Sequence, residues 1–111
     1  MQDSEFSKIA DELVIQLEDE LDVLAEEHDI DLDIDTSGGL LTVVMDNGST
    51  IVLSRQISNH EIWIAARSGG FHCTFTNGDW FCETSSETLS TLLGRVFTEQ
   101  IGLPVSLLQA E

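Results

Sequence analysis

Residues 29–35 read Asp29-Ile30-Asp31-Leu32-Asp33-Ile34-Asp35, an unbroken alternation of acid and aliphatic. That is the period of a half-buried strand, with its carboxylates on one face and its aliphatic side chains on the other. The next stretch continues it. Leu40 to Asp46 and Ser49 to Arg55, rich in Val, Ile and Leu, flank Asn47-Gly48, the strongest short hairpin signal, and predict two antiparallel strands. Glu61-Ile62-Trp63-Ile64-Ala65-Ala66 predicts another strand and Arg67-Ser68-Gly69-Gly70 a turn. Phe71 to Thr76 and Trp80 to Glu83 then form a second hairpin about Asn77-Gly78. Because the strands are consecutive, the expected topology is an antiparallel meander of about six strands.

Outward from the strands the period changes to that of a helix. Phe6, Ile9, Ala10, Leu13, Leu17, Leu21 and Leu24 recur at three- and four-residue steps, predicting a helix over roughly 4–26 started by Asp3 or Ser4. At 100° per residue, Asp11, Glu18, Asp22 and Glu26 fall near the opposite face, with Glu12 and Asp19 beside them. On the far side, Thr84-Ser85-Ser86-Glu87 has capping-box form, and Leu89, Leu92, Leu93, Val96, Phe97 and Ile101 predict a helix over roughly 86–101, stopped by Gly102 and Pro104. The expected class is α+β: a single domain over 1–111, a two-layer sandwich with two helices on one face of the sheet and the other face uncovered.

Charge excludes several functions. The 111 residues carry 21 carboxylates against four Lys and Arg, a formal net charge of −17; residues 1–35 hold 14 of the carboxylates and one Lys. Nucleic acid is excluded as a partner because its binding rests on neutralising phosphates with cationic side chains, and an anionic membrane surface is disfavoured for the same reason. Metal cations or a basic protein surface fit such a field. No apolar run reaches membrane-spanning length, and the start Met1-Gln2-Asp3-Ser4-Glu5 lacks a cationic leader, so the expectation is a soluble cytoplasmic protein.

The helix-one acids form the first candidate site. Glu18 to Asp22 and Asp22 to Glu26 are like-charge pairs at i,i+4, and Asp19 to Asp22 is one at i,i+3; each costs ~0.2–0.5 kcal/mol. Glu26 and Glu27 add charge at the negative end of the helix dipole. Local stability does not account for this pattern, which competes with the plain reading of a solvated face. Asp29, Asp31 and Asp33 resemble the start of an EF-hand loop. That reading fails, because Ile34 stands where the turn needs Gly and Leu40 where the cage needs a bidentate Glu. A carboxylate ladder beside a carboxylate helix offers hard oxygen ligands on an open surface, and implies weak, multiple and unselective cation binding. His28, His60 and His72 have no paired ligand spacing, although His28 borders the acidic tract. No nucleotide-binding, hydrolase or Cys/His nucleophile pattern occurs, so no catalytic centre is expected.

Two further features concern the sheet. If Ile62 and Ile64 face the helices, Trp63 turns to the uncovered face as a candidate contact residue, the plain alternative being that it covers its neighbours. Trp80, paired with Phe75, is expected on the core face. With a two-residue turn at Asn77-Gly78, Cys73 and Cys82 stand directly opposite one another as a non-hydrogen-bonded pair. A disulfide there is geometrically conceivable, but a reducing compartment favours core thiols.

In order and spacing these residues resemble the bacterial frataxin family (CyaY) over nearly the whole chain. The similarity runs through Met1 to Phe6, Ala10-Asp11, Gly38-Gly39-Leu40-Leu41-Thr42-Val43, Asn47-Gly48-Ser49 and Arg55-Gln56. It continues through Ile62-Trp63-Ile64-Ala65, Gly69-Gly70-Phe71-His72, Trp80 with Cys82, and Glu87-Thr88-Leu89. The chain departs from bacterial relatives at Val23 and Ala25, where acids are common, at Ser58, where Pro is usual, and in a slightly longer turn before Gly38.

The resemblance implies the frataxin sandwich and a role in iron–sulfur cluster assembly. It implies weak surface binding of Fe(II) or Fe(III), open to competing hard cations, along a ridge comprising Glu18, Asp19, Asp22, Glu26, Glu27, Asp29, Asp31 and Asp33. It also implies docking on the cysteine desulfurase through that ridge, with Glu18, Asp19 and Asp22 in the contact. A second surface, the sheet face with Arg55 and Trp63, would meet the cluster scaffold. The resulting expectation is a non-enzymatic, monomeric regulator that forms iron-dependent oligomers in some conditions. Its rivals are an iron donor or store serving the scaffold and a metal-independent acidic adaptor.

Overall fold

A computed structural model describes residues 1–109 and places a long helix, α1 (Asp3–His28), before the sheet. Phe6, Ala10, Leu13, Leu17 and Leu21 are its buried stripe, with Ile9 and Leu24 at the margins. Helix α1 begins after Gln2 without a side-chain cap, where Asp3 or Ser4 was expected to supply one. The Asp3 carboxylate turns instead to His60 Nε2 at 2.7 Å, and the His60 ring stacks on Phe6. At the other end Asp29 adopts the left-handed conformation (φ 51°). Its N–H and that of Ile30 return to the carbonyls of Glu26 and Ala25, which turns the chain directly into the acidic strand.

Seven strands follow in sheet order identical to chain order: β1 (Leu32–Ser37), β2 (Leu40–Met45), β3 (Thr50–Gln56), β4 (Glu61–Ala66), β5 (Gly69–Thr76), β6 (Asp79–Cys82) and β7 (Glu87–Thr88). All neighbours are antiparallel, so the meander stands, with one strand more than expected. The extra strand is β7, in the segment where the capping box was expected. Glu87 pairs with Cys82 in the sheet and gives its carboxylate to Arg95. Thr88 is the true N-cap, its hydroxyl accepting from Thr91 N–H at 3.2 Å.

Two turns also differ from expectation, and both differences reset registers. The loop at Asn47-Gly48 has three residues, closed by Gly48 N–H to Met45 O at 2.9 Å, and pairs Val43 with Ile51. That register puts Leu41, Val43 and Met45 on the same face as Ile51 and Leu53; a two-residue loop would have opposed buried and exposed positions. The second difference lies between β4 and β5, where the turn is Arg67-Ser68 alone, since Ala66 already pairs with Gly69. Trp63 therefore faces His72.

Helix α2 (Leu89–Ile101) buries Leu89, Leu92, Leu93, Val96 and Phe97, and ends at Gly102, whose φ of 87° favours glycine. Beyond it the chain returns along the helix, burying Val105 and Leu107. Hydrogen bonds from Val105 N–H to Thr98 Oγ1, Ser90 Oγ to Leu107 O, and Leu108 N–H to Glu20 Oε1 hold this strap against both helices. It approaches closely at Gly94, where a Cβ would lie 3.1 Å from Val105 O. No described helix is long and apolar enough to cross a membrane.

Candidate functional site: an acidic surface split by the sheet edge

Helix α1 has two flanks, and the acids are divided between them. Asp11, Glu18 and Asp22 stack at seven- and four-residue steps on one flank, where Asp11 is ion-paired with Arg55 of β3. Asp19 and Glu27 belong to the other flank. There, with Glu20, Val23 and His28, they line a groove against Pro104 and Ser106 of the C-terminal strap. Glu26 is exposed on the outer face near the end of the helix. Of the eight carboxylates in the expected ridge, Glu18 is half-buried and the others are exposed.

Strand β1 carries its acids in a third direction. Leu32 and Ile34 pair with Met45 and Val43, which lie in the core, so Asp33, with Asp31 in line, points to the face of the sheet that the helices leave open. Helix and strand carboxylates therefore flank the sheet edge from different sides. Among the described residues no three His, Cys, Asp or Glu side chains converge as a metal cage. The donor set is hard oxygen throughout, which suits iron and other hard cations bound singly at an open surface with most of their water retained.

None of the eight ridge acids has an ion-pair partner among the described residues. The arginines serve elsewhere: Arg55 binds Asp11, and Arg95 makes a two-toothed contact with Glu87 (3.0 and 2.8 Å) and a further one with Glu99. The Arg95 hydrogen bonds hold the Glu87 carboxyl below its ordinary pKa despite partial burial.

The open face of the sheet holds a second cluster. Trp63 stacks on His72 with ring centres 4.3 Å apart and planes 4° from parallel, and its indole N–H donates to Glu61 Oε1 at 2.8 Å. Trp63 is half-buried rather than fully exposed, because His72 covers one ring face, whereas Trp80 is buried against Phe6 and Phe75. Arg55 does not share this face, contrary to expectation. It pairs across the sheet with the core residue Ile62, lies on the helix side and is occupied by Asp11. Sequence reading missed His72 and Glu61 as the companions of Trp63: His72 depends on the length of the Arg67-Ser68 turn, whereas Glu61 stands two residues before Trp63 on the same face of β4 and was signalled by alternation alone. Cys73 and Cys82 are buried free thiols.

The family model of the Frataxin-like domain matches residues 1–103. Among solved structures the chain is similar to frataxin from Psychromonas ingrahamii, with a TM-score of 0.83 at 31% identity over 98% of this chain and 100% of that one. It is also similar to a trimeric frataxin from the yeast Saccharomyces cerevisiae complexed with ferrous iron (TM-score 0.72, 29% identity, 84% of this chain and 85% of that chain). A further yeast frataxin gives a TM-score of 0.70 at 28% identity, covering 86% of this chain and 80% of that one. With a meander under two helices, an unpaired acidic surface and a family match over nearly its whole length, the chain belongs to the frataxin-like domain family.

Proposed function

We propose that this protein is a non-enzymatic, iron-responsive regulator of iron–sulfur cluster assembly in the cytoplasm, docking on a basic patch of the cysteine desulfurase through α1. The observation that carries this reading is that, among the described residues, the densest run of carboxylates has no cationic partner while Arg55 and Arg95 are committed to other acids. Uncompensated charge of this kind steers a basic protein and holds hard cations weakly, so that iron on the ridge competes with or bridges the protein contact. Trp63, backed by His72, is the apolar element of a second contact directed at the cluster scaffold.

A second reading, an iron carrier that passes Fe(II) to the scaffold, is favoured by the yeast relative complexed with ferrous iron, and that relative's trimeric form supports iron-dependent assembly here as well. Titration of the desulfurase with this protein, with and without Fe(II), separates the two. A regulator changes desulfurase turnover in an iron-dependent way before any scaffold is added; a carrier changes only cluster formation on the scaffold. The variant Glu18→Gln, Asp19→Asn, Asp22→Asn loses binding mainly through its on-rate and salt dependence while folding as stably as the parent. A neutralised variant that binds and regulates like the parent would return the ridge to a solvated face.

A further inference from the structure

The hairpin of β5 and β6 carries the chain's two thiols, and the function above uses neither. Asn77 (φ 52°) and Gly78 (φ 81°) form its two-residue turn, closed by the pair Thr76 and Asp79. In a hairpin of that type the closing pair is hydrogen-bonded and the pairs then alternate, which makes Cys73 and Cys82 a non-hydrogen-bonded pair. Such pairs bring Cα atoms to about 4.5 Å, at the short end of the separations that disulfides span. Both side chains lie on the same face of the sheet and both are fully buried.

The surroundings of the two sulfurs are unlike. Thr84 Oγ1 lies 3.4 Å from Cys82 Sγ, and Ser85, in the same turn, has a buried hydroxyl with no hydrogen-bond partner of ordinary geometry. Burial alone would raise the Cys82 pKa, but the Ser85 and Thr84 hydroxyls and the Ser85 backbone outweigh it and hold the thiol below its ordinary value. Burial and the neighbouring Cys82 push Cys73 up to about 12. Cys82 stands next to the sheet margin: its strand neighbour is Glu87 of β7, an edge strand of two residues that opens at low cost.

We propose that Cys73 and Cys82 form a reversible intramolecular disulfide, making the β5–β6 hairpin a redox-modification site with hydrogen peroxide as oxidant. The Cys82 thiolate attacks one peroxide oxygen, forming an S–O bond as the O–O bond breaks and hydroxide leaves. Cys73 then attacks the sulfenic sulfur; the S–S bond forms, the S–O bond breaks, and the departing hydroxide takes the Cys73 proton as water. Two thiols are oxidised and one peroxide is reduced to two waters. Thiol–disulfide exchange with reduced glutathione reverses the product.

The test treats the intact protein with hydrogen peroxide under native conditions, then unfolds it and alkylates the remaining thiols. The expected result is loss of both alkylation sites, recovered by reductant, with a cross-linked peptide joining Cys73 to Cys82 and a Tm raised by about 10 °C, as closure of so short a loop implies. Cys73→Ala should stop at a sulfenic acid on Cys82, trapped by dimedone, whereas Cys82→Ala should leave Cys73 unoxidised. Thr84→Val with Ser85→Ala should slow oxidation severalfold. Full alkylation of both thiols at peroxide levels that oxidise free glutathione, or cross-links only between chains, would overturn the proposal.

Discussion

Gln100 is the buried polar residue of α2, 3% exposed, and Gln100→Leu should destabilise the protein without touching the acidic surface. Its Oε1 accepts from Arg67 N–H at 2.9 Å and its Nε2 donates to Thr50 O at 3.2 Å, so one side chain satisfies the turn after β4 and the start of β3. Leucine has nearly the same volume and leaves both backbone groups without a partner. At ~1–3 kcal/mol for each of the two orphaned groups, offset by about 1 kcal/mol from added apolar burial, the net loss is ~1–5 kcal/mol. For a domain of this size that corresponds to a Tm lower by about 4–20 °C. Urea unfolding followed by circular dichroism reads the change as a lower midpoint at constant slope. Asn47→Ala, which removes the donor to the Gln100 carbonyl at 2.8 Å, should cost about 1 kcal/mol by the same logic. A Gln100→Leu loss below about 1 kcal/mol would refute the claim that this residue fastens the helix to the turns.

Trp63→Ala should cost ~1–2 kcal/mol, more than a bare surface residue, because it removes the His72 stack and the Glu61 hydrogen bond; an unchanged urea midpoint would show that the cluster contributes nothing. Arg95→Leu should cost ~0.5–1 kcal/mol at pH 7. Glu87 is held below its ordinary pKa when folded, so its stabilisation is present above the unfolded value and is lost as pH falls through the folded one; the gap between parent and variant should close in acid. A gap that persists at pH 2 would assign the loss to the Arg95 contact with the Phe71 ring instead. Titration with Fe(II), or with Mn(II) as a competing hard cation, should broaden amides near Glu18–Glu27 and Asp29–Asp33 weakly and at several sites, reversed by chelation; changes confined to His60, His72 or the thiols would refute ridge binding.

The helices, the meander and the core face were legible because each rests on a period: Phe6, Ala10, Leu13, Leu17 and Leu21 on one helical stripe, Leu41, Val43 and Met45 on one strand face. What the sequence concealed was set by turn length. Asn47-Gly48 alone does not distinguish a two- from a three-residue loop, and Arg67 to Gly70 reads as a turn although Gly69 and Gly70 are paired in β5. Arg55 is a different case. It stands two residues after the core residue Leu53, so alternation already signals the helix side, and what the sequence concealed is its partner there, Asp11, 44 residues earlier in the chain. Burial of Val105 and Leu107 was equally hidden, since a seven-residue return after Gly102 has no period of its own.

The two margins of the sheet are guarded differently. Strand β7 presents only two residues, too few to template another strand, while β1 is six residues long and has unpaired backbone groups along its outer side. What keeps a second copy from adding there is electrostatic: Asp31, Asp33 and Asp35 stand exposed along that margin and would meet their own kind. Protonation or a bound cation removes the repulsion. The aspartates that make this strand a candidate cation ladder are therefore also the charges that blunt its open edge.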